Sequence, residues 1–176
     1  MFLESERLFF RQLVQEDFKD LCDILQDEQT MYAYEHAFSD EEVQQWLDRQ
    51  QLRYQKDGFG LWAVCLKETG QMIGQAGLTV QEWDGREVVE VGYLFKRAFW
   101  HKGYAAEAAV CCRDYAFDTL SIPEVYSIIR DTNAASRKVA QKNQMKKVGQ
   151  MVKHYYGCVM PHDIFCVRAA DLKKAE

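Results

Sequence analysis

No run in this chain approaches the roughly eighteen consecutive apolar residues that a membrane-crossing helix needs. The opening segment MFLESERLFF carries acids where a secretion signal would place a basic stretch followed by an apolar one, so a cytoplasmic protein with no membrane partner is expected. Positive charge is not in surplus either: 22 Lys and Arg stand against 27 Asp and Glu, a formal net charge of −5. A nucleic-acid partner draws most of its affinity from a basic face, and none is expected here. The six cysteines (Cys22, Cys65, Cys111, Cys112, Cys158, Cys166) lie scattered, and neighbouring Cys111 and Cys112 show neither C-x-x-C spacing nor nearby histidines of metal-ligand pattern. They read as reduced core thiols, with no metal site. Neither G-x-x-x-x-G-K-[S/T] nor G-x-G-x-x-G occurs, which argues against the common nucleotide loops. Repeats, low-complexity stretches and linkers are missing too. With 48% hydrophobic residues among 176, the chain can bury one sizeable core, and a single domain over residues 1–176 is expected.

What is present is an alternation of short elements. Glu6 to Leu13 predicts a strand, and Gln15 to Gln26 a helix through Phe18, Leu21, Cys22 and Leu25. Ser39 followed by Glu42 is a capping-box pattern that opens a second helix, running to about Lys56. Phe59 to Leu66 and Gln71 to Thr79 are β-rich runs joined by a turn at Lys67 to Gly70, and Asp84-Gly85 turns the chain into another strand, Glu87 to Phe95. Gly103 to Leu120, alanine-rich and without internal Gly or Pro, predicts a long helix ending before Pro123. A strand (Val125 to Arg130), a helix (Thr132 to Asn143) and two strands (near Val148 to His154 and Phe165 to Arg168) follow. Strands in a meander, then a strand-helix-strand crossover, predict an α/β (α+β) fold: a mixed, mostly antiparallel sheet of six or seven strands with about four helices on its faces.

The stretch Phe99 to Ala108 (F-W-H-K-G-Y-A-A-E-A) lies where a strand hands over to the long helix. A small-residue turn there leaves successive amides unpaired, and with the helix dipole they suit a diphosphate; Gly103 lets the backbone come close. An ordinary helix start beside a glycine reads the same way.

Trp100 to Ala105 resembles the pyrophosphate-binding Q/R-x-x-G-x-G/A loop of GNAT acetyltransferases. W-H-K-G-Y-A-A-E-A is similar to the subgroup of ribosomal-protein N-terminal acetyltransferases of the Rim type. About thirty residues on, Asn133 to Met145 resembles the same subgroup's N-x-x-S-x-x-V-A-x-K-x-G-F/M segment. Glu6-Arg7-Leu8, Ile73-Gly74 and Glu90-Val91-Gly92-Tyr93 extend the resemblance over nearly the whole chain. One departure is Gln144, where the subgroup places Gly just past a helix end; left-handed dihedrals there cost a non-glycine roughly 1 kcal/mol unless Asn143 takes the cap.

The resemblance implies a GNAT fold, splayed between its fourth and fifth strands, and an acetyl-CoA-dependent N-acetyltransferase that passes acetyl directly to a primary amine, a protein N-terminus or a small molecule. It implies a cofactor site of Tyr93 and Phe95 (main-chain groups along the pantetheine), Trp100, His101, Lys102, Gly103, Tyr104 and Ala105 (the diphosphate loop) and Asn133 (a pantetheine amide). A main-chain amide aimed at the acetyl carbonyl would stabilise the oxyanion. Glu90, beside apolar Val89, Val91 and Tyr93, is the candidate base; it could equally attract the cationic amine or pair with Arg97. Ser136 is the candidate acid toward the thiolate, or a first-turn serine serving local backbone. The tyrosine acid of many family members is excluded from that helix by Ala140; Tyr155 and Tyr156 remain from a late strand. Glu107 reads as structural. Tyr32, Tyr34, Glu35 and His36, with the Trp83 turn, would line an acceptor pocket suited to a cationic amine, or simply pack loops. The subgroup also admits a homodimer, and a non-catalytic acyl-CoA-binding module is the alternative function.

Overall fold

The computed structural model describes residues 3–155 and 157–172. One sheet of eight strands runs through them in the order β1-β2-β3-β4-β5-β6-β8-β7. The strands are β1 (Leu3–Glu4), β2 (Leu8–Arg11), β3 (Leu61–Leu66), β4 (Met72–Trp83), β5 (Arg86–Phe95), β6 (Glu124–Arg130), β7 (Lys146–Tyr155) and β8 (Cys158–Arg168). The helices are α1 (Phe18–Leu25), α2 (Asp40–Lys56), α3 (Tyr104–Asp118), α4 (Ala134–Lys142) and the single turn α5 (Ala169–Leu172).

Side chains alternate across a strand, and β3 shows why its sequence is apolar throughout. Trp62 and Val64 enter the core beneath α3, whereas Leu61, Ala63 and Cys65 enter a second core with α1 and α2. Helix α3 lies close to the sheet because its inward positions are small: Ala108, Ala109, Cys112 and Ala116 are fully or almost fully buried. The capping box forms as the spacing predicts, with the Glu42 amide on Ser39 Oγ (3.2 Å) and the Ser39 amide on Glu42 Oε2 (2.8 Å). At the β4–β5 hairpin Asp84 and Gly85 both take positive φ (53° and 71°) between the pair Trp83 and Arg86, the twist a two-residue turn needs.

The mixed sheet, the meander and the splay follow expectation; the strand count and several limits do not. Eight strands replace six or seven because Leu3–Glu4 pairs with β2, too short a run for periodicity to detect. The first long strand covers only Leu8–Arg11, since Asp17 turns back to bind the Val14 amide (2.9 Å) and Arg11 (2.7 Å). Strand β8 begins at Cys158, well before Phe165, because it pairs on both sides, with β6 and β7. Its buried polar pair His162 and Asp163 hides the hydrophobic pattern. At the end of α4 it is Gln144 that takes positive φ (60°), while Asn143 stays at −80°.

Every pairing is antiparallel except β5–β6, which is parallel and registers at one pair, Glu90 with Tyr126. Just past it, side chains replace the ladder: Ser127 Oγ donates to the Val91 carbonyl (3.3 Å), and the Ile128 amide donates to Glu90 Oε1 (3.4 Å). The two strands separate there, and the gap is the floor of the cleft described next.

Candidate active site

The splay opens into a cleft of about 820 Å³ lined from β4, β5, β6, α2, α4 and the β7–β8 hairpin. Glu90, Tyr93, Asn133 and Ser136, far apart in sequence, all line it. Glu90 is half-buried. One carboxylate oxygen accepts the Ile128 amide and the other faces Thr79 Oγ1 (3.5 Å). Burial pushes its pKa above the ordinary glutamate value, and the charge of Lys153, the Ile128 amide and Arg53 pull against that without cancelling it. Tyr93 spans the gap, its hydroxyl donating to the Ser136 carbonyl on α4 (3.3 Å). Burial holds its phenol well above the usual range, so it is neutral. Asn133 caps α4, its Oδ1 accepting the Ser136 amide (3.0 Å), which leaves the carboxamide NH₂ for other partners.

The expected residues Trp100 to Ala105 form a separate stretch that links the end of β5 to α3 and opens that helix. Here Gly103, at φ 83°, is the residue before α3. The amides of Gly103, Tyr104, Ala105 and Ala106 have no acceptor among the described residues. This is the normal state of a helix start, and it leaves four donors free at the positive end of α3. His101 also takes positive φ (60°). Trp100 fixes the turn to the strand, its indole Nε1 donating to the Phe95 carbonyl (2.8 Å). The ring of Phe95 is buried and its carbonyl accepts this one bond, which ties the turn to the end of β5.

Sequence reasoning missed the clamp behind this turn. Arg7 donates from Nη1 to the Lys102 carbonyl (3.1 Å) and from Nε to Glu107 Oε2 (2.7 Å), and its guanidinium lies 4.3 Å above the Tyr104 ring. Ser5 Oγ and the Arg7 amide complete the shell around Glu107 (2.7 and 2.8 Å). Burial works to raise the pKa of Glu107, but those three donors outweigh it and hold the carboxyl below the ordinary range. Glu107 is thus structural, tying the first residues to the start of α3. The Arg7 and Glu107 positions fall a hundred residues apart, and no local pattern connects them.

The acceptor side departs most from expectation. Tyr34 lines the cleft, in edge contact with Phe38 and Trp46. Tyr32, Glu35 and His36 lie behind it: Glu35 pairs with Arg130, Tyr32 gives its carbonyl to the same arginine, and His36 binds Glu42 (2.8 Å). Trp83 packs on Tyr126 and Gly149 and does not line the cleft. Among the described residues Glu90 forms no ion pair with an arginine; Arg97 reaches Asp27 instead (3.1 Å). Tyr155 reaches the cleft, and Tyr156 lies outside the described residues. Arg49, Arg53 and Lys153 line the cleft, unanticipated because a charged residue on an amphipathic helix looks like a solvated face. No group of three or more metal-ligating side chains occurs among the described residues, and no helix there is long and apolar enough to cross a membrane.

The model of the acetyltransferase (GNAT) domain matches residues 7–146. The chain belongs to the GNAT acetyltransferase family. As a GNAT acetyltransferase it is 30% identical to the N-acetyltransferase p20 of Bacillus licheniformis over 84% of this chain and 83% of that protein. A GNAT-family acetyltransferase from Bacillus anthracis superposes with a TM-score of 0.82 at 20% identity, covering 96% of this chain and 98% of that one. RimL, a ribosomal L7/L12 alpha-N-protein acetyltransferase solved with coenzyme A, superposes with a TM-score of 0.77 at 16% identity, covering 93% and 95%. This chain is accordingly an acyltransferase of GNAT fold, in a family that uses acetyl-CoA.

Proposed function

We propose that this acetyltransferase passes an acetyl group from acetyl-CoA directly to a primary amine, with both substrates bound in the cleft at once. The observation that carries the reading is the position of Glu90: a half-buried carboxyl at the last paired residue before β5 and β6 part, in one cleft with Tyr93, Asn133 and Ser136. Bound acetyl-CoA supplies the thioester. The residues present suit it: four free amides at Gly103 to Ala106 for the diphosphate, the β5–β6 gap for the pantetheine, and the Asn133 carboxamide for one of its amides. Trp100, His101, Lys102, Tyr104 and Ala105 shape that turn, and Tyr93 borders the pantetheine path.

An amine reaching the cleft arrives protonated and must lose a proton before it attacks. Glu90 takes it, directly or through water, helped by a pKa lifted toward that of its donor. Ser136, at the gap on α4, stands where it can pass a proton to the departing sulfur; its hydroxyl is a weak acid, so solvent can share the task. RimL acts on a protein N-terminus, and the acceptor class here includes such amines.

The test is release of coenzyme A from acetyl-CoA across N-terminal peptides, polyamines, amino sugars and aminoglycosides. Glu90→Gln lowers kcat by about a hundredfold or more, in the span of general-base loss, with acetyl-CoA affinity unchanged. The base works deprotonated, so wild-type turnover rises with pH through a midpoint above the ordinary glutamate value, and the variant loses that limb. Equal losses in rate and in acetyl-CoA binding would remove Glu90 as the base. Tight acetyl-CoA binding without turnover on any amine would sink the reading.

A further inference from the structure

The cleft has more unneutralised positive charge than negative. Arg49 and Arg53 stand one helical turn apart on α2, and both line it. Neither forms an ion pair with a carboxylate among the described residues; Arg53 is held only by Gln50 Oε1 (3.2 Å). Lys153 lines the same cleft from the β7–β8 hairpin, also without an ion pair among the described residues, and its charge acts on Glu90. The fourth cation, Arg130, is already spent on Glu35 and the Tyr32 carbonyl. Of the acids lining the cleft, Glu42 is engaged by the Ser39 amide and His36, which leaves Glu90. Burial lowers the pKa of Arg53, and the neighbouring charge of Arg49 lowers it further. Two like charges are thus held together at a cost that the more distant charges of Glu90 and Asp57 offset only in part.

A site built for a polycation would present the opposite balance. Paired guanidiniums at the edge of a half-buried cleft are the group that recognises a planar or tetrahedral oxyanion through two or more parallel hydrogen bonds. Their charge is felt at the reacting end of the cleft: Arg53 acts on Glu90, and both arginines act on Tyr34. We infer that the acceptor amine also bears an anionic group, a carboxylate or a phosphate, which Arg49 and Arg53 grip while its amine is turned toward Glu90. This rests on the acetyl-transfer reading and names the substrate class for it. The anion sets the acceptor's orientation, and the arginines take no part in the proton transfers.

The experiment is calorimetry on the full chain saturated with coenzyme A, titrated with four dipeptide amides: Ala-Glu, Ala-phosphoserine, Ala-Gln and Ala-Lys. Coenzyme A release from acetyl-CoA is measured in parallel with the same four. At least one anionic peptide binds about tenfold more tightly than Ala-Gln, the worth of a charge-assisted pair, and which one is preferred separates carboxylate from phosphate. Arg49→Gln with Arg53→Gln removes that preference and leaves coenzyme A affinity within about twofold. Ala-Gln or Ala-Lys binding as tightly as the anionic peptides overturns the inference. So does no binding by any of the four, a preference that survives loss of both arginines, or coenzyme A affinity that falls with them. Anionic preference in binding without coenzyme A release sinks acetyl transfer and leaves the anion site standing; turnover with no anionic preference does the reverse.

Discussion

On the proposed reading, the donor and acceptor sides of the site are built in opposite ways. At the donor end, the turn entering α3 offers main-chain amides, and their direction follows from local backbone geometry: Gly103 at φ 83°, then a helix that cannot satisfy its own first amides. At the acceptor end, the groups are side chains delivered from β4, β5, α2 and the β7–β8 hairpin, each placed by the packing of its own element. A ligand held by backbone can be the same for every relative, because the backbone survives substitution. A ligand held by side chains changes whenever they do. The comparison teaches why a family can share one donor and diverge in acceptors.

That contrast can be broken at the donor end first. Gly103→Glu puts an L-residue at a left-handed φ, a cost of roughly 1–2 kcal/mol, and a negative charge where the diphosphate would lie. Acetyl-CoA affinity falls about a hundredfold by calorimetry, while the preference among acceptor peptides persists. Unchanged affinity would mean that the turn does not hold the diphosphate. A smaller effect comes from Arg7→Ala, which removes the ties to Lys102, Tyr104 and Glu107 and lets the turn relax. The loss in acetyl-CoA affinity is about tenfold, and kcat at saturating acetyl-CoA is kept; a lower kcat with unaltered affinity would place Arg7 in the chemistry and not behind it. The smallest effect sharpens the comparison by touching neither end. Gln144→Gly relieves the positive φ after α4 and raises unfolding free energy by about 1 kcal/mol in denaturant titration, with both ligand affinities unmoved.

Legibility in the sequence follows the range of the interactions. The capping box at Ser39, the Asp84-Gly85 turn, the alanine-rich α3 and the strain at Gln144 all rest on residues within a few positions of one another, and local chemistry shows them. The stretch Trp100 to Ala105 belongs to the same class. The clamp of Arg7 on Glu107 and the cleft-facing pair Arg49 and Arg53 were not legible, for one reason: a charged side chain reads as solvated until the fold puts something opposite it. Phe95 shows the converse. Its carbonyl accepts the indole N–H of Trp100, a bond that no pattern of apolar residues encodes. The acceptor wall at Tyr32, Glu35 and His36 was misplaced by one layer, since periodicity cannot tell which members of an aromatic and polar loop face inward.

The sequence alone therefore determined the order of the elements and the family, because these depend on periodicity, local dihedrals and contiguous motifs. Only the tertiary structure decided where β5 parts from β6, what stands behind the turn, and that the cleft is lined by two arginines with no ion pair among the described residues. Those features are sums over pairs of residues tens of positions apart, and their energies exist only once the sheet has brought the partners together.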